Sequence, residues 1–300
     1  MRNKTFPEAL REYNIPLPNE LIEQTRFTKW GKNNCYWAKK IASDVIIFGD
    51  WGQGINEVWR SQSSTPNLSK EEQKKQWIII KKAQEEAKIK SLNHKLLKAV
   101  IAFKKWNKCT TTKVQEHPYI KRKMIQPFGS RLDNHLLVIP LYDIHGKLWS
   151  LQTIDPEGKK LFLAGGQKKG CFYPIGSLEE TNVLYICEGF ATGASIHMAT
   201  GVTTIIAFDA GGLEPVTKMI RSFYPKKTIV ICADNDRWGK VNVGKEKAEA
   251  AAKKYHCQIA LPHFSPECLN LARKGGMKPT DFNDLHVLEG LEEVRRQVVL

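Results

Sequence analysis

The chain has 300 residues, of which 42% are apolar, and a formal net charge of +15. It is too long for one ordinary domain, and its apolar content can build real cores, which excludes wholesale disorder. No stretch approaches the roughly 18 consecutive apolar residues of a membrane span, and no apolar run follows the amino terminus as in a secretory signal. The seven cysteines form no C-x-x-C pair. We therefore expect neither disulfides nor zinc, and a reducing compartment, the cytoplasm.

Residues 1–62 mix aromatic residues with Gly and Asn, and contain short apolar runs such as DVIIFGDW between turn residues. This pattern predicts a small β-rich module. Its tryptophans could stack on the bases of a single strand, and the candidates are Trp30, Trp37 and Trp51. The favoured alternative is that these aromatic residues form the core of the module.

The segment 61–69, SQSSTPNLS, is polar, contains Pro and is typical of a linker. Ser69 and Glu72 then form a capping-box pattern, and the chain from there to Trp106 lacks Pro and Gly. Apolar residues recur in it at roughly helical spacing. We predict a basic helical arm over residues 63–112, as one long helix or two shorter ones.

The positive charge is concentrated in the middle of the chain. Residues 64–125 hold sixteen Lys or Arg and five Asp or Glu, a surplus of eleven. Such a concentration favours a polyanionic partner, because neutralising phosphates uses clustered cations. A solvated basic helix without a partner would show the same surplus.

Residues 113–180 and 181–300 differ in pattern. The first segment predicts two strands across a turn at His145-Gly146 and a third in KKLFLAGG, a basic α+β subdomain. The second alternates apparently helical stretches with continuous apolar runs, which are VLYICEG, TTIIAFDA, KTIVICAD and HCQIALPH. Such runs suit strands buried on both faces, so we predict an α/β domain with a Rossmann-like parallel sheet covered by helices.

Carboxylates follow two of these predicted strands. Glu188-Gly189 ends the first, and Asp234 and Asp236, two residues apart, end the third. Asp281 and Asp284 come after the fourth strand. Carboxylates that gather at one edge of a sheet repel one another unless some are protonated or a cation lies among them. Oxygen ligands without His or Cys fit Mg²⁺ or Mn²⁺.

CEGFATG followed by ICADND and PTDFNDL resembles the Toprim domain of phage- and plasmid-encoded primases. Upstream, HPYIKRKM, LLVIPLYDIHGKLWSLQTID, GKKLFLAGG and KGCFYPIG resemble the basic subdomain of those primases, and KWGKNNCYWAKK and FGDWGQG resemble their leading module. Two departures stand out. Thr192 occupies the position where cellular primases have an aspartate, and the chain lacks the cysteine/histidine zinc ribbon with which those primases begin.

The resemblance implies a DNA primase of the mobile-element type, which joins nucleoside triphosphates into primers on single-stranded DNA. It implies a catalytic Toprim domain over residues 181–300 in which Glu188, Asp234 and Asp236 are catalytic. The implied metal ligands are Glu188, Asp234, Asp236, Asp281 and Asp284, with Glu188 either a ligand or a general base. Candidates for binding nucleotide phosphates and the template backbone are Arg131, Lys159, Lys160, Lys168 and Lys169.

The Gly-rich AGGQKKG is not a Walker loop, so we expect a separate replicative helicase and no helicase motor in this chain. No membrane partner is expected. Two alternatives remain open. One is a Toprim-type metal-dependent nuclease, against which the basic subdomain argues, since hydrolysis needs no triphosphate pocket. The other is a non-catalytic module that binds single-stranded DNA during replication, against which the complete set of acids argues.

Overall fold

A computed structural model describes residues 4–61, 69–236, 238 and 243–299. Contacts divide the chain into two compact units. The first contains the residues up to Ile101 together with Ala164–Gln167, and the second contains Ala102–Leu163 and the residues from Lys168 onward. Most of the predicted linker at 61–69 lies outside the described residues, as does the predicted domain boundary after residue 62.

A four-stranded antiparallel sheet forms the amino-terminal part of the first unit, in agreement with the predicted β-rich module. Its strands lie in sequence order, and they are β1 (Thr28–Trp30), β2 (Tyr36–Ala42), β3 (Val45–Asp50) and β4 (Ile55–Arg60). Helix α1 (Phe6–Glu12) precedes the sheet and begins at a capping box formed by Thr5 and Glu8.

Both faces of this sheet are covered, as the alternation along β3 shows. Val45 and Ile47 lie in a core with Trp37, Trp51 and residues of the next helix. Phe48 lies in a second core with residues from α1, among them Leu10. Because successive side chains of a strand point to opposite faces, one apolar strand serves two cores.

The predicted basic arm is one uninterrupted helix, α2 (Lys70–Lys108). It begins at the predicted capping box, where the Glu72 side chain accepts a hydrogen bond from the Ser69 backbone at 2.8 Å. Within the first unit, Ile80 and Ala87 of α2 pack into the core beneath the sheet. In the second unit, Trp106 packs with the strands that follow.

The second unit begins with α3 (Pro118–Arg122) and a second antiparallel sheet of four strands in sequence order. The strands are β5 (Arg131–Asp133), β6 (Leu136–Tyr142), β7 (Leu148–Ile154) and β8 (Lys160–Phe162). The turn between β6 and β7 contains His145 and Gly146, as predicted, and Gly146 has a φ of +77° that glycine adopts without strain.

The carboxyl-terminal part is an α/β layer built on a five-stranded sheet of order β13-β12-β10-β11-β9. Its strands are β9 (Tyr173–Ile175), β10 (Val183–Cys187), β11 (Thr204–Ile206), β12 (Thr228–Cys232) and β13 (Gln258–Ala260). The helices are α4 (Phe190–Thr200), α5 (Ala210–Phe223), α6 (Val243–Tyr255), α7 (Pro266–Lys274), α8 (Phe282–Glu289) and α9 (Leu291–Val298).

The predicted parallel sheet is confirmed for β10 to β13, which pair in parallel. The short strand β9 adds an antiparallel edge beside β11, so this sheet begins upstream of residue 181. Strand residues such as Ile186 and Ile231 are buried with Leu213 of α5 and Ala251 of α6. Helices on the sheet therefore explain why these strands are apolar throughout. In the part of the chain that the structure describes, every helix is too short or too polar to cross a membrane.

Candidate functional site

Two predicted acids come together at the carboxyl edge of the parallel sheet. Strands β10 and β12 are neighbours, with Cys187 paired opposite Cys232. Glu188 follows the first of these residues directly, and Asp234 follows the second after one residue. Since parallel strands end at the same edge, their pairing brings Glu188 and Asp234 to one place.

The local environment disfavours negative charge on both carboxyl groups. Burial raises the pKa of Asp234 to about 8, and the neighbouring carboxylates add to this shift. In decreasing order of effect these neighbours are Asp281, Glu188 and Asp236. Burial also raises the pKa of Glu188 to about 7, and Asp236 and Asp209 contribute further. Acids held this close together would lose much of their mutual repulsion if a cation lay among them.

One oxygen of each acid lacks a hydrogen-bond partner in the part of the chain that the structure describes. Glu188 Oε1 and Asp234 Oδ1 are buried and accept no hydrogen bond from any described residue. The backbone of Gly244, in α6, lies against both acids, since a Cβ there would be 3.0 Å from Glu188 Oε1 and 3.7 Å from Asp234 Cβ. Leaving a buried carboxylate oxygen unpaired is costly, so the two oxygens fit a bound cation.

The acids do not form a finished ligand cage. Among the residues that the structure describes, no group of three or more His, Cys, Asp or Glu side chains is already arranged to hold a metal ion. Mg²⁺ is commonly held by one or two carboxylates and completes its shell with water and substrate phosphates. Glu188 and Asp234 could supply those carboxylates.

Asp236 and Asp281 lie beside this pair. Asp236 is exposed, and the segment before it is anchored because Asn235 donates its backbone N–H to Thr280 O at 2.7 Å. Asp281 caps α8 by accepting a hydrogen bond from Asp284 N at 2.8 Å, and burial raises the pKa of Asp281. The loop before α8 therefore brings Asp281 close enough to act on Asp234 electrostatically.

The carboxylate of Asp284 already has two partners. Its Oδ2 accepts a hydrogen bond from Thr280 N at 2.9 Å, and its Oδ1 lies 3.3 Å from Lys123 Nζ. These contacts stabilise the start of α8 and tie it to the segment after α3. The role of Asp284 as a metal ligand remains a prediction. To bind a metal, its carboxylate would have to share or exchange these two partners.

Lys160 is distinguished from the other predicted phosphate-binding residues. Its charge partly opposes the rise in the pKa of Glu188, Asp234 and Asp281, so it lies within electrostatic reach of all three acids. A Cβ at Gly189 would be 3.6 Å from Lys160 Nζ. Strand β8 thus places Lys160 close to the carboxyl edge of the parallel sheet, where Glu188 and Asp234 lie.

The other four basic candidates have different surroundings. Arg131 lies over the ring of Trp106 at 4.1 Å and donates to Trp106 O at 3.1 Å, contacts that serve packing. Lys168 forms an ion pair with Asp209, the residue that caps α5. Lys159 and Lys169 are exposed, as Lys160 is, but neither is among the main charges that act on Glu188, Asp234 or Asp281.

The stacking prediction is wrong for two of the three tryptophans. Trp37 is 1% exposed and Trp51 is 5% exposed, and their rings stack on each other with centroids 4.7 Å apart. Their faces are therefore used by the core of the module, as the favoured alternative stated. Trp30 is half-buried and donates its Nε1–H to Pro16 O at 2.7 Å, and its stacking on a base remains a prediction.

Sequence reasoning missed several residues near the acids, among them Asp209, Lys123, Gly244 and Lys247. Asp209 follows the apolar run TTIIAF just as Glu188 and Asp234 follow theirs, so the same signal could have identified it. Lys123 looked like part of a solvated basic stretch, and its pairing with Asp284 spans 161 residues of sequence. Gly244 has no local signal, because its role depends on how closely α6 approaches the sheet.

Comparison with known proteins identifies the carboxyl-terminal layer. Residues 183–292 match the Toprim domain family. Two curated Escherichia coli proteins, both named DNA primase TraC, are 36% and 35% identical to this chain over 162 and 159 residues. These alignments cover 51% and 50% of this chain but only 11% and 15% of the relatives, so the chain spans a small part of their length. Among solved structures, a DnaG primase catalytic domain bound to ssDNA aligns with 69% of this chain and 80% of its own, at 11% identity and a TM-score of 0.46.

Proposed function

We propose that this chain, which carries a Toprim domain in residues 183–292, is a DNA primase that synthesises short primers on a single-stranded DNA template. The observation that carries the proposal is a pair of buried oxygens, on Glu188 and Asp234 at the carboxyl edge of the sheet, that have no hydrogen-bond partner among the described residues. The curated relatives that match half of this chain are named DNA primase, which supports the same reaction.

Glu188 and Asp234, with Asp236 and Asp281 beside them, would hold the divalent cation, Mg²⁺ or Mn²⁺. Such an ion, when bound, supplies positive charge to the phosphate under attack and to the departing pyrophosphate. No zinc enters the proposal, since the chain has no C-x-x-C pair.

The proposed reaction is nucleotidyl transfer. A 3′-hydroxyl oxygen bonds to the α-phosphorus of a nucleoside triphosphate, the bond from that phosphorus to the bridging oxygen breaks, and pyrophosphate leaves. The hydroxyl proton needs an acceptor, and a carboxyl group with a pKa of about 7, as Glu188 has, is suited to accept it near neutral pH. Glu188 can serve in this way or as a ligand.

Lys160 favours a primase over a nuclease. It brings a cation from the preceding subdomain to the acidic edge, where the negative charge of an incoming triphosphate needs neutralising. Hydrolysis of a phosphodiester uses water and requires no triphosphate site. We accordingly propose that Lys160 binds the triphosphate. The proposed partners are single-stranded DNA, nucleoside triphosphates and a separate helicase.

A direct assay tests the proposal. The protein is incubated with single-stranded DNA, labelled nucleoside triphosphates, and Mg²⁺ or Mn²⁺. We expect labelled oligomers, which Glu188→Gln and Asp234→Asn abolish and which the matched control Glu180→Gln, at an exposed position, leaves intact. Cleavage of the DNA without synthesis would favour the nuclease, and binding without either reaction would favour a non-catalytic module.

A further inference from the structure

Two neighbouring cavities open in the first unit between the sheet β1–β4 and helix α2. The first has a volume of about 280 Å³, and its lining residues are Lys29, Asn34, Trp51, Lys90, Asn93 and His94. The second has a volume of about 220 Å³ and shares Trp51 with the first; it also borders Trp37, Asn56, Ser91 and Lys95. We refer to the two together as the Trp51 cavities.

The first cavity combines cations with amides. Lys29 and Lys90 supply positive charge, and Asn34 and Asn93 offer both hydrogen-bond donors and acceptors. Asn34 has a φ of +54°, a left-handed conformation that Asn tolerates better than most residues. A lining of this composition suits a ligand that is anionic at one end and carries polar edges at the other.

Two nearby acids, Asp50 and Glu86, offset the positive charge of the first cavity. Asp50 is buried, and its Oδ1 accepts hydrogen bonds from Gly52 N at 2.7 Å and Gln53 N at 3.2 Å. These bonds occupy the carboxylate within its own turn. Glu86 lies 2.7 Å from Lys90 Nζ, and the charge of Asp50 acts on His94, so these two acids offset the two lysines of the first cavity. Lys95 supplies a further positive charge at the second cavity.

The second cavity contains hydrogen-bonding capacity that the described residues do not use. Trp37 Nε1, a donor, and Asn56 Oδ1, an acceptor, are buried without a partner among those residues. The Asn56 amide is oriented because its Nδ2 donates to Gln84 O of α2 at 2.9 Å. Both atoms are covered in this structure, so a ligand in the cavity would contact them only if the side chains above them moved. Unused buried donors and acceptors are uncommon and call for a partner.

Trp51 forms the wall between the cavities in a fixed position. It stacks on Trp37, and its carbonyl accepts a hydrogen bond from Ser91 Oγ at 2.8 Å. The wall is therefore held by α2 as well as by the sheet. Each cavity lies just below the usual ligand-pocket range of about 300–1,000 Å³, a size that suits one small heterocycle apiece.

We propose that the Trp51 cavities bind two consecutive nucleotides of a single strand of DNA. The base edges meet Asn34 and Asn93 in the first cavity and Asn56 in the second, and the phosphates meet Lys29 and Lys95. Binding of a single strand here does not depend on primer synthesis; the identification of that strand as the template does rest on the proposed function. A free nucleotide has the same chemistry, so the experiment compares the two sources.

DNA binding by the full chain is measured in EDTA, which removes divalent metal and so prevents synthesis. The result of the binding experiment is therefore independent of priming. Labelled oligonucleotides of dA, dC, dG or dT are titrated by fluorescence anisotropy at several salt concentrations. Indole N–H signals of Trp37 and Trp51, assigned with single Trp→Phe variants, are followed by NMR during addition of an oligonucleotide or of a nucleoside triphosphate.

We expect Asn93→Ala to weaken binding about fivefold to tenfold and to flatten the base preference without changing the salt dependence. Lys29→Gln should weaken binding to all bases alike and reduce the log–log salt slope by about 0.7, the value for one lost phosphate contact on a single strand. The matched controls are Asn107→Ala, exposed on α2, and Lys226→Gln, exposed after α5 and outside the basic stretch; both should leave affinity and preference unchanged.

The indole signals identify the source of the ligand. Shifts with the oligonucleotide at concentrations where the triphosphate causes none would support the proposal. Equal or stronger shifts with the triphosphate alone would overturn the assignment to a strand in favour of a free nucleotide. Unmoved signals with either ligand, or equal losses in the cavity variants and their controls, would overturn the site itself.

Discussion

Asn283 Nδ2 donates a hydrogen bond to Ser195 Oγ at 2.9 Å in the buried core of the second unit. Ser195 belongs to α4, which follows Glu188, and Asn283 belongs to α8, which begins at Asp281. The same amide nitrogen donates to Lys123 O at 2.8 Å. One side chain therefore fixes three segments of the candidate site relative to each other.

Asn283→Ala should destabilise the second unit by about 1–3 kcal/mol, because the change leaves the Ser195 hydroxyl and the Lys123 carbonyl without this donor. Urea denaturation monitored by circular dichroism measures the loss. Asn107→Ala, at an exposed position, should change the free energy of unfolding by less than about 0.5 kcal/mol. Equal effects of the two substitutions would show that the buried amide has no special role.

Asp234→Asn should separate stability from activity. Burial and the neighbouring acids disfavour the ionised form of Asp234, so the neutral amide should leave the melting temperature of the metal-free protein unchanged or higher, while primer synthesis is lost. Thermal melts with and without Mg²⁺ provide the second readout. The wild type should be stabilised by Mg²⁺ and the variant much less, since binding to the native state raises its stability. Equal stabilisation of both would remove Asp234 from the metal site.

Gly244→Ala should reduce synthesis by more than tenfold although alanine favours helices. The new Cβ would lie 3.0 Å from Glu188 Oε1, so the acid must move. Gly275→Ala is the matched control, because a Cβ at that position meets nothing closer than 3.6 Å. Full activity of the Gly244 variant would show that Glu188 can shift without consequence.

Lys160→Gln should raise the KM for nucleoside triphosphates and lower kcat/KM by about 10-fold or more, because a cation close to the acids is lost. Lys159→Gln, at the preceding and exposed position, serves as the control and should retain nearly normal kinetics. Steady-state rates at varied triphosphate concentration distinguish the two variants. If both substitutions had the same modest effect, general surface charge would account for the role assigned to Lys160.

Much of the architecture follows from local sequence. Continuous apolar runs predicted the parallel strands, because a strand that is covered on both faces buries nearly all of its side chains and therefore contains few polar residues. The absence of Pro and Gly after the Ser69 capping box predicted a helical arm, which extends as a single helix to Lys108. Acids directly after the first and third of these runs were expected at one edge of the sheet, since parallel strands end together.

The sequence left other features open, because they depend on packing between distant segments. Five basic residues looked equivalent, and only the pairing and placement of β8 bring Lys160 rather than Lys159 or Lys169 to the acids. Three tryptophans looked equally able to stack on bases, and the tertiary structure buries Trp37 and Trp51 against each other. Composition and periodicity determine which elements form and which face is apolar. The partners of an individual side chain are decided by contacts between residues far apart in the chain, which local patterns do not encode.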